Sequence, residues 1–212
     1  MREMKSACRV TQSKQRRTAE DAPPPFPVYR FSVDEYHMLM DVGIFKSGDP
    51  YELLDGWIVP KMTILPPHNQ AVRMLSRRLN RLLDDSWVLQ TQGATTLPPH
   101  DEPEPDFVVA YGPEARYKSV NPGPKDTLVI VEISDASLTD DRGRKHLIYA
   151  RARIPIYWIV NLIDRQIEVY SQPRRGKNPT YLKEQVYGPA NLLPLILAGT
   201  HIADIPVKDL LP

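Results

Sequence analysis

The sequence predicts an α/β (α+β) fold in which helices flank a mixed central β-sheet. Three observations favour this class. Segments with helical spacing of apolar residues alternate along the chain with short segments of strand character. The run Leu128–Ile133 is apolar except at Glu132, which is typical of a strand buried on both faces. Hydrophobic residues make up 42% of the 212 residues, enough for the core of one domain.

The first 26 residues are expected to form a disordered, basic and proline-rich tail, and residues 27–212 a single folded domain. Residues 1–20 carry six Lys or Arg and two Glu, and "APPPFP" follows. Such a segment has too few apolar groups to fold alone. The tail could contact nucleic acid, although a solvated arm is the interpretation that its composition favours.

A helix and a hairpin are predicted at the start of the domain. In "FSVDEYHMLMDVGIF", Ser32 is the expected N-cap and Glu35, three residues later, completes a capping box. Gly43 is expected to end this helix. "YELLDGWIVPKM" then predicts two strands joined by a tight turn at Asp55-Gly56.

An amphipathic helix is predicted in "PPHNQAVRMLSRRLNRLLDDS". One face carries the apolar residues Val72, Leu75, Leu79, Leu82 and Leu83. A second face carries a stripe of arginines, Arg73, Arg77 and Arg81. The stripe could contact nucleic-acid phosphates, but a solvated helix face is the interpretation that we favour from the sequence.

The second half of the chain is predicted to supply most of the sheet. Strands are expected in "WVLQTQGATTL", "DFVVAYG" and "TLVIVEIS", followed by a helix in "TDDRGRKHLIYARARI" that is capped near Ser137 or Thr139 and stops before Pro155. "PIYWIVNLIDRQIEVYSQP" predicts two strands with a turn near Asp164-Arg165, and Trp158 among them is expected in the core. "PTYLKEQVYG" predicts a further strand, and the apolar tail from Leu192 is expected to pack on the core.

Glu132 is an ionisable group in the most apolar run of the chain, and burial of an unpaired carboxylate is costly. Asp106 follows Pro105 at the start of the preceding strand, so both carboxylates converge if the two strands are neighbours. Thirteen residues after Glu132, Lys145 shares a helical face with Asp141 and Tyr149. Glu52 is a further carboxylate in an otherwise apolar strand.

This set of residues suits metal-assisted phosphodiester hydrolysis. Mg²⁺ needs only one or two protein carboxylates together with water and substrate phosphate, and a nearby lysine can hold water or stabilise charge. Structural alternatives stay open for each residue. Glu132 could pair with Arg142 or Arg144. Asp106 could be a turn residue, Lys145 a surface partner of Asp141, and Glu52 an outward-facing residue.

Five sequence blocks resemble, in order, the signature blocks of the Uma-type restriction endonucleases, members of the PD-(D/E)XK nuclease superfamily. They are "RFSVDEYHML", "YELLDGWIV", "EPEPDFVVA", "LVIVEISDASLTDDRGRK" and "YARARIPIYWIVNL". The resemblance extends roughly from Tyr29 to Tyr170, and "LPLILAGTHIADIPVKDLL" is similar too. Five ordered blocks are more specific than one short motif.

The resemblance implies a restriction-endonuclease-like fold with metal ligands at Asp106 and Glu132. The motif's lysine, two residues after the glutamate, is replaced by Ser134 here, and Lys145 matches the displaced position on the next helix. Glu52 and Asp141 match further acidic positions of the family, and His68 a histidine often found there, which could contact phosphate or only cap the helix. The chain departs from the family pattern at Trp57, Ile156 and Asn161, none of them a proposed ligand.

Several other classes of protein find no support in the sequence. No apolar run approaches the roughly 18 residues of a membrane span, and no secretory signal is recognisable, so a cytoplasmic location is expected. The single cysteine, Cys8, excludes a disulfide framework and a cysteine-rich zinc site. A Gly-rich phosphate loop, an HExxH motif and a GxSxG motif are all missing.

The leading hypothesis from the sequence is a Mg²⁺- or Mn²⁺-dependent endonuclease that hydrolyses DNA phosphodiester bonds. Asp106 and Glu132 would bind the metal, Glu52 would add a third acidic group, and Lys145 would position water or stabilise the transition state. The alternative is a catalytically inactive module of the same fold that binds nucleic acid or a second copy. The net charge of +1 implies weak DNA binding by one chain, so a homodimer is expected.

Overall fold

The protein is described here by a computed structural model that covers residues 27–46, 48–62 and 65–212. The expected N-terminal tail, residues 1–26, lies outside the described residues. In this part of the chain, no helix combines the length and the apolar character needed to cross a membrane.

A six-stranded mixed sheet forms the centre of the fold. Its strands are β3 (Trp87–Thr91), β4 (Phe107–Tyr111), β5 (Thr127–Ser134), β6 (Ile156–Asn161), β7 (Gln166–Arg174) and β8 (Thr180–Tyr187). They lie side by side in this order, and only β5 and β6 run parallel. Two hairpins flank this sheet, β1 (Tyr51–Leu54) with β2 (Trp57–Pro60), and β9 (Leu192–Leu197) with β10 (Thr200–Pro206).

Two helices precede β3. The first, α1 (Val33–Asp41), begins with the predicted capping box, since the Glu35 amide donates to Ser32 and the Glu35 carboxylate accepts from the Ser32 amide. Gly43 follows its end with φ +79°, which a glycine adopts without strain. The second, α2 (Pro66–Leu79), ends earlier than the apolar pattern predicted, so Leu82 and Leu83 lie in the following turn.

Parallel strands need a crossover connection, and a helical segment supplies it between β5 and β6. It consists of α3 (Leu138–Asp140), a π segment (Asp141–Lys145) and α4 (His146–Ala152), which follow one another with helical backbone angles. We call these three pieces together the site helix. The sequence predicted a regular helix here, and the π segment is a departure from that prediction.

The core lies on both faces of the sheet. On one face, α2 and the β9–β10 hairpin pack against β4 and β5 through residues such as Leu75, Val131 and Leu195. On the other face, the site helix packs against β5 and β6 through residues such as Ile130, Ile148 and Tyr157. Trp158 is buried, as predicted. The expected mixed sheet flanked by helices is therefore confirmed.

Candidate active site

Asp106 and Glu132 lie side by side at the end of the β4–β5 pair. Phe107 is the partner of Val131 in this antiparallel ladder, so the next step of the register brings Asp106 opposite Glu132. Both side chains are buried, with residue exposures of 8% and 4%. The Ile133 amide donates a 2.8 Å hydrogen bond to Asp106 Oδ2, which fixes the carboxylate against β5.

Lys145 places its ammonium among three carboxylates. Its Nζ lies 3.0 Å from Glu132 Oε1, 3.8 Å from Glu52 Oε1 and 4.0 Å from Asp141 Oδ1. Burial opposes the charge on Lys145, but these three carboxylates outweigh it and raise the pKa of the ammonium above its usual value. The three carboxylates therefore favour the protonated, charged form of Lys145.

Burial raises the pKa of Glu132 to about 8. The nearby Lys145 ammonium lowers this pKa, whereas Asp141 and Asp106 raise it further. Tyr149 donates a 2.6 Å hydrogen bond to the same oxygen, Oε1, that Lys145 contacts. One ammonium therefore does not compensate the carboxylates that converge at this point, and a further cation would lower the cost of ionising them.

Glu52 reaches the site from the β1–β2 hairpin. It is 6% exposed, and its Oε2 accepts a 3.1 Å hydrogen bond from the Glu104 amide, just upstream of Asp106. The structure thus excludes the outward-facing alternative for Glu52. This carboxylate also ties the hairpin to the segment that presents Asp106.

Asp141 lies at the start of the π segment and is 1% exposed. Its Oδ2 accepts hydrogen bonds of 2.6 Å from the hydroxyls of Ser134 and Ser137. Ser134, at the position of the motif's lysine, thus supports an acidic residue of the helix. Within the described residues, Asp141 Oδ1 is buried without a hydrogen-bond partner. Burial raises the pKa of Asp141, against the effects of Lys145 and the two serines.

The π segment aims Lys145 and Asp141 at the sheet, and tertiary contacts hold it in place. The Tyr157 hydroxyl on β6 donates a 3.1 Å hydrogen bond to the Asp141 carbonyl. Arg142 donates two hydrogen bonds, of 3.0 and 2.5 Å, to the carboxylate of Glu168 on β7. A π segment within a helix is rare and is often found at functional sites.

His68 joins the site from the first turn of α2. Its Nε2 lies 3.0 Å from Asp106 Oδ2, and its Nδ1 is buried without a hydrogen-bond partner among the residues described. The histidine therefore contacts a proposed metal ligand and does not serve only as a helix cap. Its position links α2 to Asp106 across the end of the sheet.

The structure decides between the structural alternatives for these residues. Of the two arginines considered as partners of Glu132, Arg142 pairs instead with Glu168 and Asp164, and the ion-pair partner of Glu132 is Lys145. Lys145 has a side-chain exposure of 14% and contacts Glu132 more closely than Asp141. The five residues singled out in the sequence, Glu52, Asp106, Glu132, Asp141 and Lys145, converge, while their catalytic and metal-binding roles stay predictions.

Sequence reasoning missed two parts of the site. Tyr149 was placed on the helical face of Lys145, but its hydrogen bond to Glu132 was not predicted. The spacing of four residues from Lys145, which directs both side chains to the same side of the helix, could have indicated it. The clamp between Arg142 and Glu168 was also missed, because no local pattern connects two residues 26 positions apart. Asn161, one of the departures from the family pattern, donates a 2.8 Å hydrogen bond to Glu168 in this clamp.

The oxygen-rich composition of the site fits a hard divalent cation. In residues 27–46, 48–62 and 65–212, no group of three or more His, Cys, Asp or Glu side chains is arranged so that it could hold a metal ion. Mg²⁺, however, is usually held by one or two carboxylates and keeps several waters. The hydrogen bonds within the described ranges engage Asp106 Oδ2 and Glu132 Oε1, and leave Asp106 Oδ1 and Glu132 Oε2 for such a cation.

Comparisons with known proteins place this geometry in a family. The family model Uma2, described as "putative restriction endonuclease", matches residues 33–205. The chain belongs to the Uma2 family. Its fold is similar to the crystal structure of "a putative nuclease belonging to DUF820" from Anabaena variabilis, with a TM-score of 0.61 and 15% sequence identity over 87% of this chain and 97% of that one. A search among curated proteins finds no match to this Uma2 chain.

These findings confirm the family resemblance and the restriction-endonuclease-like fold inferred from the sequence. The family match includes Glu52, Asp106, Glu132 and Lys145 within its bounds. The solved nuclease structure, at its low identity, supports the fold alone.

Proposed function

We propose that this Uma2 chain is a Mg²⁺- or Mn²⁺-dependent endonuclease that hydrolyses phosphodiester bonds of DNA. The observation that carries the proposal is the buried cluster in which the ammonium of Lys145 faces the carboxylates of Glu132, Glu52 and Asp141, with Asp106 alongside. The description of the family as restriction endonucleases agrees with this chemistry.

Asp106 and Glu132 would hold the cation, because their carboxylates are adjacent and each has an oxygen outside the hydrogen bonds described above. The bound cation would supply Lewis-acid stabilisation of the phosphoryl oxygens and a more acidic water. His68 and the Ile133 amide would keep Asp106 oriented, and Tyr149 would do the same for Glu132.

Lys145 would act as a protonated group. Its ammonium can donate hydrogen bonds to the attacking water or to a phosphoryl oxygen that gains negative charge in the transition state. Glu52 and Asp141 would keep the ammonium charged and hold it at the site, because their carboxylates lie within ion-pair distance of Nζ, at 3.8 and 4.0 Å.

A cleavage assay tests the proposal. Single- and double-stranded DNA is incubated with wild type, Glu132→Ala and the matched control Glu184→Ala, which removes an exposed carboxylate on β8. All three proteins are purified identically, and Mg²⁺, Mn²⁺ or EDTA is added. We expect wild type and Glu184→Ala to cleave DNA with Mg²⁺ or Mn²⁺, and both EDTA and Glu132→Ala to abolish cleavage.

Two other outcomes would contradict the proposal. Equal cleavage by wild type and Glu132→Ala would indicate a contaminant or a different site. Absence of cleavage by all three proteins on every substrate would favour the alternative, an inactive module of the same fold that binds nucleic acid or a second copy.

A further inference from the structure

A groove outside the candidate active site is lined mainly by cationic side chains. It has a volume of about 350 Å³ and lies between the C-terminal half of α2 and the turn after β10. Its lining residues are Met74, Arg77, Arg78, Arg81, Lys208 and Asp209. Four cations and one carboxylate give this groove a local net charge of +3.

The cations of the groove are largely free of partners. Arg77, Arg81 and Lys208 are exposed and form no ion pair with any residue that the structure describes. Arg78 forms a long ion pair of 3.9 Å with Asp209, and its Nε is buried without an acceptor in the described ranges. The exposed side chains of Arg77, Arg81 and Lys208 are therefore open to an anion in the groove.

We infer that this groove binds backbone phosphates of nucleic acid. Arginine guanidinium groups present paired donors that match phosphate oxygens. Residues 21–212 together carry a net charge of −3, so a local charge of +3 stands out against an acidic background. Cationic contacts to phosphates supply most of the sequence-independent affinity for DNA.

The spacing of the exposed arginines favours nucleic acid over an acidic protein. Arg73 and Arg77 lie one turn apart on α2, about 6 Å along its axis, and Arg81 follows in the turn after the helix. One DNA strand carries a phosphate about every 3.4 Å along the duplex axis, so these arginines can face two or more neighbouring phosphates. An acidic protein surface rarely offers charges at such regular intervals.

The groove and the candidate active site lie at opposite ends of the same helix. His68, in the first turn of α2, contacts Asp106, and Arg77 follows nine residues later, about 14 Å along the helix axis. The groove would therefore hold DNA that flanks the cleaved bond and would not take part in the chemistry. As a contact for the substrate, this assignment rests on the proposed nuclease function.

The test measures DNA binding apart from cleavage. Fluorescence anisotropy with a labelled 30-base-pair duplex in EDTA compares wild type, Arg77→Ala/Arg81→Ala and the control Lys118→Ala/Lys125→Ala, which also removes two exposed cations. Circular dichroism checks the fold of each variant. Log K falls as log salt rises, and each lost phosphate contact makes this negative slope less steep by about 0.9. We therefore expect the arginine variant to bind at least tenfold more weakly near 0.1 M salt, with a slope that is less steep by about 1.8.

Equal affinities and slopes for the two double variants would overturn the inference, as would absence of salt-dependent DNA binding by wild type. In the latter case an acidic protein would become the better candidate partner. A separate cleavage assay, which compares wild type with Glu132→Ala, tests the proposed function. Arginine-dependent DNA binding without cleavage would support the assignment of the groove and contradict the nuclease proposal. Cleavage without arginine-dependent binding would support the nuclease proposal and contradict the assignment of the groove.

Discussion

At the scale of single residues, the hydroxyl of Tyr149 is the neutral donor that supports Glu132. The tyrosine is fully buried, and its 2.6 Å bond reaches the oxygen that Lys145 also contacts. When a buried carboxyl group loses one of its two hydrogen-bond donors, part of the free-energy cost of removing it from water is no longer offset. Tyr149 is therefore a positioning residue for the proposed site.

Tyr149→Phe is expected to lower the free energy of unfolding by about 1 to 3 kcal/mol, because it leaves a buried carboxyl oxygen of Glu132 with one hydrogen-bond donor fewer and changes little else. Urea denaturation at pH 7 measures this effect. Tyr111→Phe is the matched control, since Tyr111 is 36% exposed and its hydroxyl makes no hydrogen bond to a described residue. Equal stabilities of the two variants would contradict this account of Tyr149.

At the scale of elements, the clamp between the π segment and β7 is the contact that holds the site helix in register. Glu168 is 1% exposed and accepts hydrogen bonds from Arg142, Asn161 and Tyr170. Burial raises the pKa of Glu168, but these donors, Arg142 foremost, outweigh it and lower the pKa to about 2. The charged form of Glu168 therefore stabilises the folded state.

The clamp makes stability depend on pH in the acid range. Between pH 4.5 and 2 the unfolded chain binds more protons at this position, so the contribution of Glu168 is complete above pH 4.5 and is lost as the pH falls towards 2. The shift corresponds to about 2 to 3 kcal/mol after allowance for the partial exposure of Arg142.

Glu168→Gln should remove this contribution, so its free energy of unfolding should fall less steeply than that of wild type as the pH is lowered from 5 to 2. Urea denaturation at several pH values measures both curves. Glu184→Gln, on the exposed face of β8, should give a curve parallel to wild type. If Glu168→Gln gave a parallel curve as well, the assigned role of the clamp would be wrong.

Elements were predictable from the sequence where local chemistry decides them. The capping box at Ser32 and the turn at Asp55-Gly56 depend on neighbouring residues, and the structure has both. The π segment was not predictable, because its contacts come from Tyr157 and Glu168 on other strands. A regular α-helix satisfies the same local sequence pattern, so only the tertiary contacts distinguish the two.

At the scale of the whole molecule, the candidate site was predictable because strand order brings distant residues together. Asp106 and Glu132 converge once β4 and β5 pair. Glu52 and Lys145 were singled out as a carboxylate in an apolar strand and a lysine on the next helix, and the family resemblance matched both. The contact between His68 and Asp106 joins residues 38 positions apart and depends on how α2 packs against the face of the sheet. Secondary structure alone does not determine that packing.

Oligomeric state is a prediction at the same scale. One chain with a net charge of +1 offers little general attraction to DNA, and pairing two clefts on one duplex would increase avidity. We therefore expect a homodimer. Light scattering at micromolar concentration should give twice the mass of the chain, and a monomer mass would refute the prediction.

Both the proposed reaction and the role of Lys145 depend on one claim, that Asp106 and Glu132 would hold a divalent cation. The most direct test is the melting temperature of wild type and Glu132→Ala during a Mn²⁺ titration to millimolar concentrations. A ligand at 100 times its Kd stabilises the folded state by about 2.7 kcal/mol. We predict a melting temperature that rises with Mn²⁺ in wild type and stays constant in Glu132→Ala. A wild-type melting temperature that Mn²⁺ leaves unchanged, or an equal rise in both proteins, would contradict the claim.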